Sequence, residues 1–377
     1  MPRTAGTTLP GRATAEGTAR YAARFAGRLP AAHFRTMDDL GHLSSLGLGT
    51  YLGREDDATD NAYHRAVARA LELGINVLDT AVNYRHQRSE RSIGAALAAL
   101  TAGNAIQRDE IVVATKGGFI PFDTELPRDP GSYFIETYLR PGILRPDDVV
   151  ANSHSMTPRY LSDQIERSRR NLGVDTIDVY YVHNPETQLP SVERGAFLDR
   201  LRDAFLALEQ AVREGRIARY GTATWKGYRE DPGAPDYLSL ADVVGAARDV
   251  AGDDHHFRVI QLPYNLAMPE AFTRANQRVG GDLVSTVEAA RRLGVYVTAS
   301  ASVYQGQLTR NLPAVLAEHL PGLATDAQRA LQFVRSTPGI GTALVGMKSI
   351  HHVEENAGVA ATPPVAWDRF QALFSAA

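Results

Sequence analysis

Apolar residues follow two rhythms that alternate along the chain. Between Ala58 and Leu73 the apolar positions Ala62, Ala66, Val67, Ala70 and Leu71 recur at helical spacing, and Gly74 stops the pattern. A β-branched run, "INVLDTA" (75–81), follows at once and reads as a buried strand. The same alternation predicts strands at 110–116, 176–184, 217–224, 258–265, 295–301 and 342–346. Helices fall between them at 89–100, 158–173, 197–214, 238–251, 282–293 and 326–336. Two more, near 351–358 and 366–374, end the chain. With a first strand at 43–50 there are eight βα units, and eight such units close most naturally into a (β/α)8 TIM barrel. The rival is an open, doubly wound sheet, which would show a G-x-G-x-x-G turn after its first strand. The nearest string, "GLGTYLG" (47–53), has the wrong spacing and does not run straight into a helix.

Three segments are longer than a barrel needs: 118–155, with five prolines, 226–237 and 266–281. All three leave C-terminal strand ends, the face where such barrels build their sites, and loops of this length are binding loops or lids.

Composition narrows the possibilities. A chain of 377 residues, 44% hydrophobic and 22% charged, can bury a large core. A formal charge of −3 argues against nucleic acid or an anionic membrane as partner. No apolar run is long enough for a membrane-spanning helix. The absence of cysteine excludes disulfides, thiolate metal sites and a cysteine nucleophile. "DDHH" (253–256) and "HH" (351–352) read as a solvated turn and a helix start, so no metal site is expected. Residues 1–35 carry six arginines against Glu16, the composition of a transit peptide. We read residues 1–40 as an N-terminal extension of a cytoplasmic protein and 41–377 as one barrel domain.

Candidate chemistry lies at the strand ends. Asp79, Lys116 and His183 each end a predicted strand, and Tyr84 follows Asp79 in the next loop. Each alone reads as a loop acid, a surface lysine, an edge histidine or a packed tyrosine, but a closed parallel barrel brings all four to one rim. A free phenol titrates near ~10, too high for efficient proton transfer at neutrality, and an adjacent cation lowers it. Lys116 can supply that cation, Asp79 can hold Lys116, and a neutral His183 can hydrogen-bond a carbonyl. No side chain supplies a hydride, so a nicotinamide cofactor is implied.

Asp79-Thr80-Ala81-x-x-Tyr84, Ala114-Thr115-Lys116 and Tyr181-Val182-His183 resemble, in order and spacing, the aldo-keto reductase superfamily. The likeness runs from about Leu46 to Asn356. It implies that Tyr84 is the proton donor, Lys116 and Asp79 its tuning pair, and His183 the substrate orienter. It also implies NADP, with NAD as the alternative, bound across the rim without a Rossmann domain. By the same resemblance Gly49 and Thr50 meet the nicotinamide ribose and diphosphate, and Gln261 holds the carboxamide. The loop containing Tyr304, Gln305, Gly306 and Gln307 covers the pyrophosphate. Gly346 leads into the adenosine end, where Lys348 and His352 meet the 2′-phosphate and Glu355 and Asn356 hold adenine. Tyr51, Phe119, His154 and Trp225 are candidate substrate-pocket residues, against ordinary packing.

Three departures from the family pattern stand out. Ala223-Thr224 replaces the usual Ser-Asn pair, so only Thr224 keeps a polar side chain for the carboxamide. Ser300 stands where an aromatic often stacks on the nicotinamide, and Tyr304 or Trp225 would have to replace it. Four residues, "RHQR" (85–88), lengthen the spacer between Tyr84 and Ser89-Glu90. The expected activity is interconversion of a small-molecule carbonyl, a sugar among them, and an alcohol. The alternatives are a non-redox lyase or epimerase and a nucleotide-binding regulatory module.

Overall fold

The computed structural model describes residues 8–374. Residues 1–7 of the expected extension and 375–377 of the expected barrel domain lie outside the described residues. In chain order the strands are β1 (Phe34–Met37), β2 (Gly41–Ser44), β3 (Leu46–Gly49), β4 (Val77–Asp79), β5 (Val112–Gly117), β6 (Ile177–His183), β7 (Ile217–Ala223), β8 (Phe257–Pro263), β9 (Ala275–Val279), β10 (Asp282–Ser285), β11 (Tyr296–Ser300) and β12 (Ile340–Gly346). The principal helices are α1 (Ala15–Ala23), α2 (Asp57–Glu72), α3 (Arg88–Ala102), α4 (Pro130–Phe134), α5 (Pro158–Leu172), α6 (Arg194–Arg213), α7 (Leu240–Ala251), α8 (Glu270–Thr273), α9 (Thr286–Arg292), α10 (Val315–His319), α11 (Asp326–Ser336), α12 (Ile350–Ala357) and α13 (Trp367–Gln371).

Eight parallel strands close into a barrel in the order β11-β12-β3-β4-β5-β6-β7-β8. This is the (β/α)8 TIM barrel that the alternating pattern predicts. Residues of opposite parity on each strand serve two cores. Val77, Val112, Ala114, Val179, Tyr181, Val259 and Leu344 fill the barrel interior. Leu46, Leu48, Leu78, Val113, Tyr180 and Val182 face the helical ring. No helix among the described residues is long and apolar enough to cross a membrane.

The first predicted strand, 43–50, is divided in the structure. Leu43 and Ser44 belong to the antiparallel hairpin β1–β2, and the barrel strand is β3. Met37, Leu40 and Leu43 of this hairpin pack onto the interior residues and close the bottom of the barrel. The hairpin straddles residue 40. The helix predicted over 282–293 is likewise shorter: β9 and β10 pair across Gly280-Gly281, and α9 begins only at Thr286, capped by the Ser285 hydroxyl. Two consecutive glycines at positive φ form a two-residue hairpin turn, so the 266–281 segment is less loop-like than its composition suggests.

The described residues before β1 dock against the bottom of the barrel. Leu9 bridges Val174 in parallel. The Ala13 amide donates to Asp178 at 2.6 Å, and the same fully buried carboxylate accepts from Val113 N and Arg108 Nη2, each at 2.7 Å. Helix α1 then docks through Tyr21, whose hydroxyl donates to Leu71 O, and through Arg20 and Arg24, which pair with buried Glu110.

Candidate active site

The barrel delivers three side chains to one point because three strands end there. Asp79 is the last residue of β4, His183 the last of β6, and Lys116 the next to last of β5. Lys116 is fully buried; its Nζ donates to Asp79 Oδ1 at 2.6 Å and to Thr80 O at 2.7 Å. Gln261 Nε2 donates to the other carboxylate oxygen of Asp79 at 2.7 Å. Tyr84 sits on the following turn, half-buried, with Lys116 Nζ 5.0 Å from its ring centre. Its ring lies edge-on to His183 at 5.9 Å and to Tyr51 at 5.0 Å.

The electrostatics follow from this packing. Burial raises the Tyr84 pKa and outweighs the lowering by Lys116, so the phenol stays protonated at neutral pH. Burial alone would lower Lys116, but the Asp79 carboxylate and Tyr84 phenol overcome it and leave the ammonium firmly charged. His183 is pushed well below its ordinary value, first by burial and then by Lys116 and His154. The site therefore presents a neutral phenol, a neutral imidazole and a buried ammonium–carboxylate pair.

Tyr84 is positioned by an unusual turn. The inserted residues Arg85, His86 and Gln87 all have positive φ (48°, 52° and 72°), which costs about 1–2 kcal/mol for each non-glycine residue. Hydrogen bonds of the buried Arg85 and Gln87 side chains over-determine the conformation. Arg85 donates to Arg54 O at 2.8 Å and pairs with Asp60 at 2.6 Å, and Gln87 Nε2 donates to Phe122 O at 2.9 Å. The extra residues of the Tyr84–Ser89 spacer thus form a left-handed loop, and Ser89 still reaches Thr50 O at 2.7 Å.

A cavity of about 1440 Å³ opens on the rim, with Asp79, Tyr84 and His183 in its wall. This exceeds the ~300–1,000 Å³ of an ordinary small-molecule site and gives room for a large ligand with a second one. Gly49, Thr50, Ala223, Thr224, Gln261 and Ser300 line it near the tetrad. Gln305, Gly306 and Gln307 line it along the loop after β11. Gly346, Lys348, His352, Glu355 and Asn356 line the far end. Tyr51, Phe119 and Trp225 stand in the wall around Tyr84 and His183.

Three expected site residues are not in that wall. Lys116 lies behind it, reaching the site only through Asp79 and Tyr84. Tyr304 does not line the cavity, because positive φ at Tyr304 and Gln305 turns the loop so that Gln305–Gln307 face inward instead. His154 is fully buried beneath Phe119, bonded to backbone and to Gln188. Gln261 gives one N–H of its amide to Asp79, so it buttresses the tetrad, with its second N–H and its carbonyl oxygen left to meet a ligand. Other wall residues were not singled out from sequence: Asn83, Asn184, Leu52 and Arg310. Asn83 and Asn184 adjoin Tyr84 and His183, and Arg310 follows the 304–309 loop, so adjacency was the available signal.

The residues present fit a nicotinamide dinucleotide. Thr224 Oγ1 and Asn356 Oδ1 belong to cavity-lining residues and are buried and without a hydrogen-bond partner among the described residues. Orphaned polar atoms of this kind call for a ligand's polar groups. Lys348 is exposed beside the start of α12, where Ser349 Oγ accepts from His352 N. A cation at a helix N-terminus suits a phosphate. No group of acidic residues or histidines among the described residues could hold a metal ion.

Comparison with known proteins agrees with this geometry. The model of the aldo/keto reductase family matches residues 45–229. The chain is 28% identical over 189 residues to an NADH-specific methylglyoxal reductase of Escherichia coli, covering 48% of each chain. It is 22% identical over 329 residues to a putative voltage-gated potassium channel subunit beta of Schizosaccharomyces pombe, covering 83% of each. Among solved structures, an aldo/keto reductase from Klebsiella pneumoniae in complex with NADP and acetate shares the fold with a TM-score of 0.61 at 20% identity, over 91% of this chain and 95% of that one.

Proposed function

Residues 45–229 match the aldo/keto reductase family, and on that premise we propose that the chain is an NADP-dependent oxidoreductase that reduces carbonyls carried on apolar or aromatic groups. The observation that carries the reading is the buried Lys116–Asp79 pair packed against a protonated Tyr84, with a neutral His183 beside it.

NADPH, when bound, supplies the hydride. The chain's own residues would hold it by Thr224 at the carboxamide, by Asn356 at the adenine and by Lys348 at the 2′-phosphate. His183 orients the carbonyl by donating a hydrogen bond, which its neutral ring can do throughout the neutral range. Tyr84 delivers the proton to the carbonyl oxygen, and Lys116 stabilises the phenolate left behind. Asp79 keeps Lys116 in place, and Gln261 keeps Asp79 in place.

The substrate class follows from the walls around Tyr84. Tyr51 is 57% exposed and Trp225 42% exposed, and Leu52 and Phe119 complete that end. Such surfaces bind apolar groups better than a polyol. This revises the sugar expectation. The decisive test is to titrate the protein with NADPH by fluorescence, then follow its oxidation with benzaldehyde-type and sugar substrates. The reading expects saturable binding and a kcat/KM at least about tenfold higher for the aromatic aldehydes, the equivalent of ~1.4 kcal/mol. No binding, or a preference for sugars, would overturn it.

A pH dependence also follows. Tyr84 has a raised pKa, so its acid form persists through neutral pH and into the alkaline range. Carbonyl reduction should hold level across neutrality. Alcohol oxidation needs the phenolate as base and should climb steadily with alkaline pH. Initial rates in both directions check this, and an oxidation rate that falls as pH rises would contradict it.

A further inference from the structure

We propose that His154 is a positioning residue: it clamps the 118–155 insertion onto the end of β6, so that Phe119 and His183 are set in place as one unit. The inference rests on the proposed role of His183.

At His183 the sheet ladder ends, because Asn184 turns left-handed (φ 46°) and its amide bonds Ala223 O. The His183 carbonyl therefore takes a donor from outside the barrel, His154 Nε2, at 2.7 Å. The other His154 nitrogen, Nδ1, meets Gln188 Nε2 at 2.9 Å. An amide nitrogen only donates, so Nδ1 accepts and the proton resides on Nε2. Arg200 Nη1 donates to Gln188 Oε1 at 2.5 Å, which fixes the amide the same way round. Arg200, Gln188 and His154 thus form a one-directional chain ending on the His183 backbone.

Backbone bonds on either side of the same histidine join the two ends of the insertion. Phe119 and His154 form an antiparallel bridge, Ile120 N bonds Ser153 O, and Ser155 N bonds Gly118 O. The Phe119 ring stands edge-on to both imidazoles, 5.2 Å from His154 and 5.1 Å from His183. Gly118, at φ 150°, lies against the clamp itself: a Cβ there would come within 2.8 Å of both His154 Nε2 and His183 O. His183 Nδ1 has no partner among the described residues, so its ring is oriented by its backbone and by Phe119. Burial lowers His154 to about 4, so the clamp persists at neutral pH.

The test uses the full chain with His154→Phe, which keeps bulk without a donor, and His154→Gln, whose amide nitrogen can reach where Nε2 stands. The expected result for His154→Phe is a kcat with an aromatic aldehyde reduced about 10–100-fold, the scale of a small misplacement at a reacting centre. NADPH affinity should stay near wild type, and His154→Gln should restore most of the rate. Should His154→Phe fail to fold, Gly118→Ala, which drives a methyl into the clamp, must give the same split between rate and NADPH affinity. The ¹⁵N resonances of the His154 ring should show the Nε2–H tautomer in the wild type, and those of His183 should shift in His154→Phe but not in His154→Gln. Wild-type kcat in His154→Phe, parallel loss of rate and NADPH binding without rescue by glutamine, or an Nδ1–H tautomer would each overturn the proposal. If the wild type reduces no carbonyl, it is the proposed reaction that fails, and the ring resonances alone decide the clamp.

Discussion

Tyr84→Phe is expected to lower carbonyl reduction by about 10²–10⁴-fold, the contribution of a positioned general acid, while NADPH binds with nearly unchanged affinity. The substitution removes one oxygen and leaves the ring, which keeps its edge contacts with Tyr51 and His183. Thr224 and Asn356, the residues proposed to hold the nicotinamide and adenine ends, are untouched. What disappears is the hydroxyl of the phenol that packs against the buried Lys116 ammonium. Stopped-flow oxidation of NADPH together with a fluorescence titration measures both quantities. Near-normal turnover would mean that Tyr84 is not the proton donor.

The second large effect concerns stability. Asp178→Ala should destabilise the chain by about 3–5 kcal/mol, because removing one member of a buried ion pair strands the other. Here the loss leaves the Arg108 guanidinium, the Val113 amide and the Ala13 amide all short of an acceptor in a fully buried place. With an unfolding entropy that scales with chain length, each kcal/mol lowers the melting temperature by roughly 1–2 °C in a domain of this size, so a fall of roughly 3–10 °C is expected. Asp178→Asn keeps an acceptor oxygen and should fall between the two. Calorimetry measures the shift. A change within about 2 °C would contradict the ion-pair account.

The barrel was legible because its signal is periodic and repeated. Each βα unit carries its own alternation, and eight units agree on one architecture. The tetrad was legible because a parallel barrel sends every strand's end to one face, so strand-end residues can be placed together without knowing any distance. What escaped is non-periodic. The β1–β2 plug and the β9–β10 hairpin are short and lie beside longer patterns, and the Gly280-Gly281 turn was passed over in a segment read as loop. The net rise in the Tyr84 pKa could not be read from residue types, because it depends on whether burial or the neighbouring ammonium dominates. His154 illustrates the remaining difficulty. Its position on a loop near the rim suggested the pocket, whereas its role is set by a carbonyl 29 residues away and by a glutamine still further along.

The docking of the leading residues against Val174 and Asp178 has a practical consequence. Leu9 and Ala13 are pinned to the floor of the barrel, while the large cavity opens at the opposite end. A tether or reporter joined there would project away from the mouth, so the protein could be fixed to a surface with its entrance turned outward and open to arriving molecules.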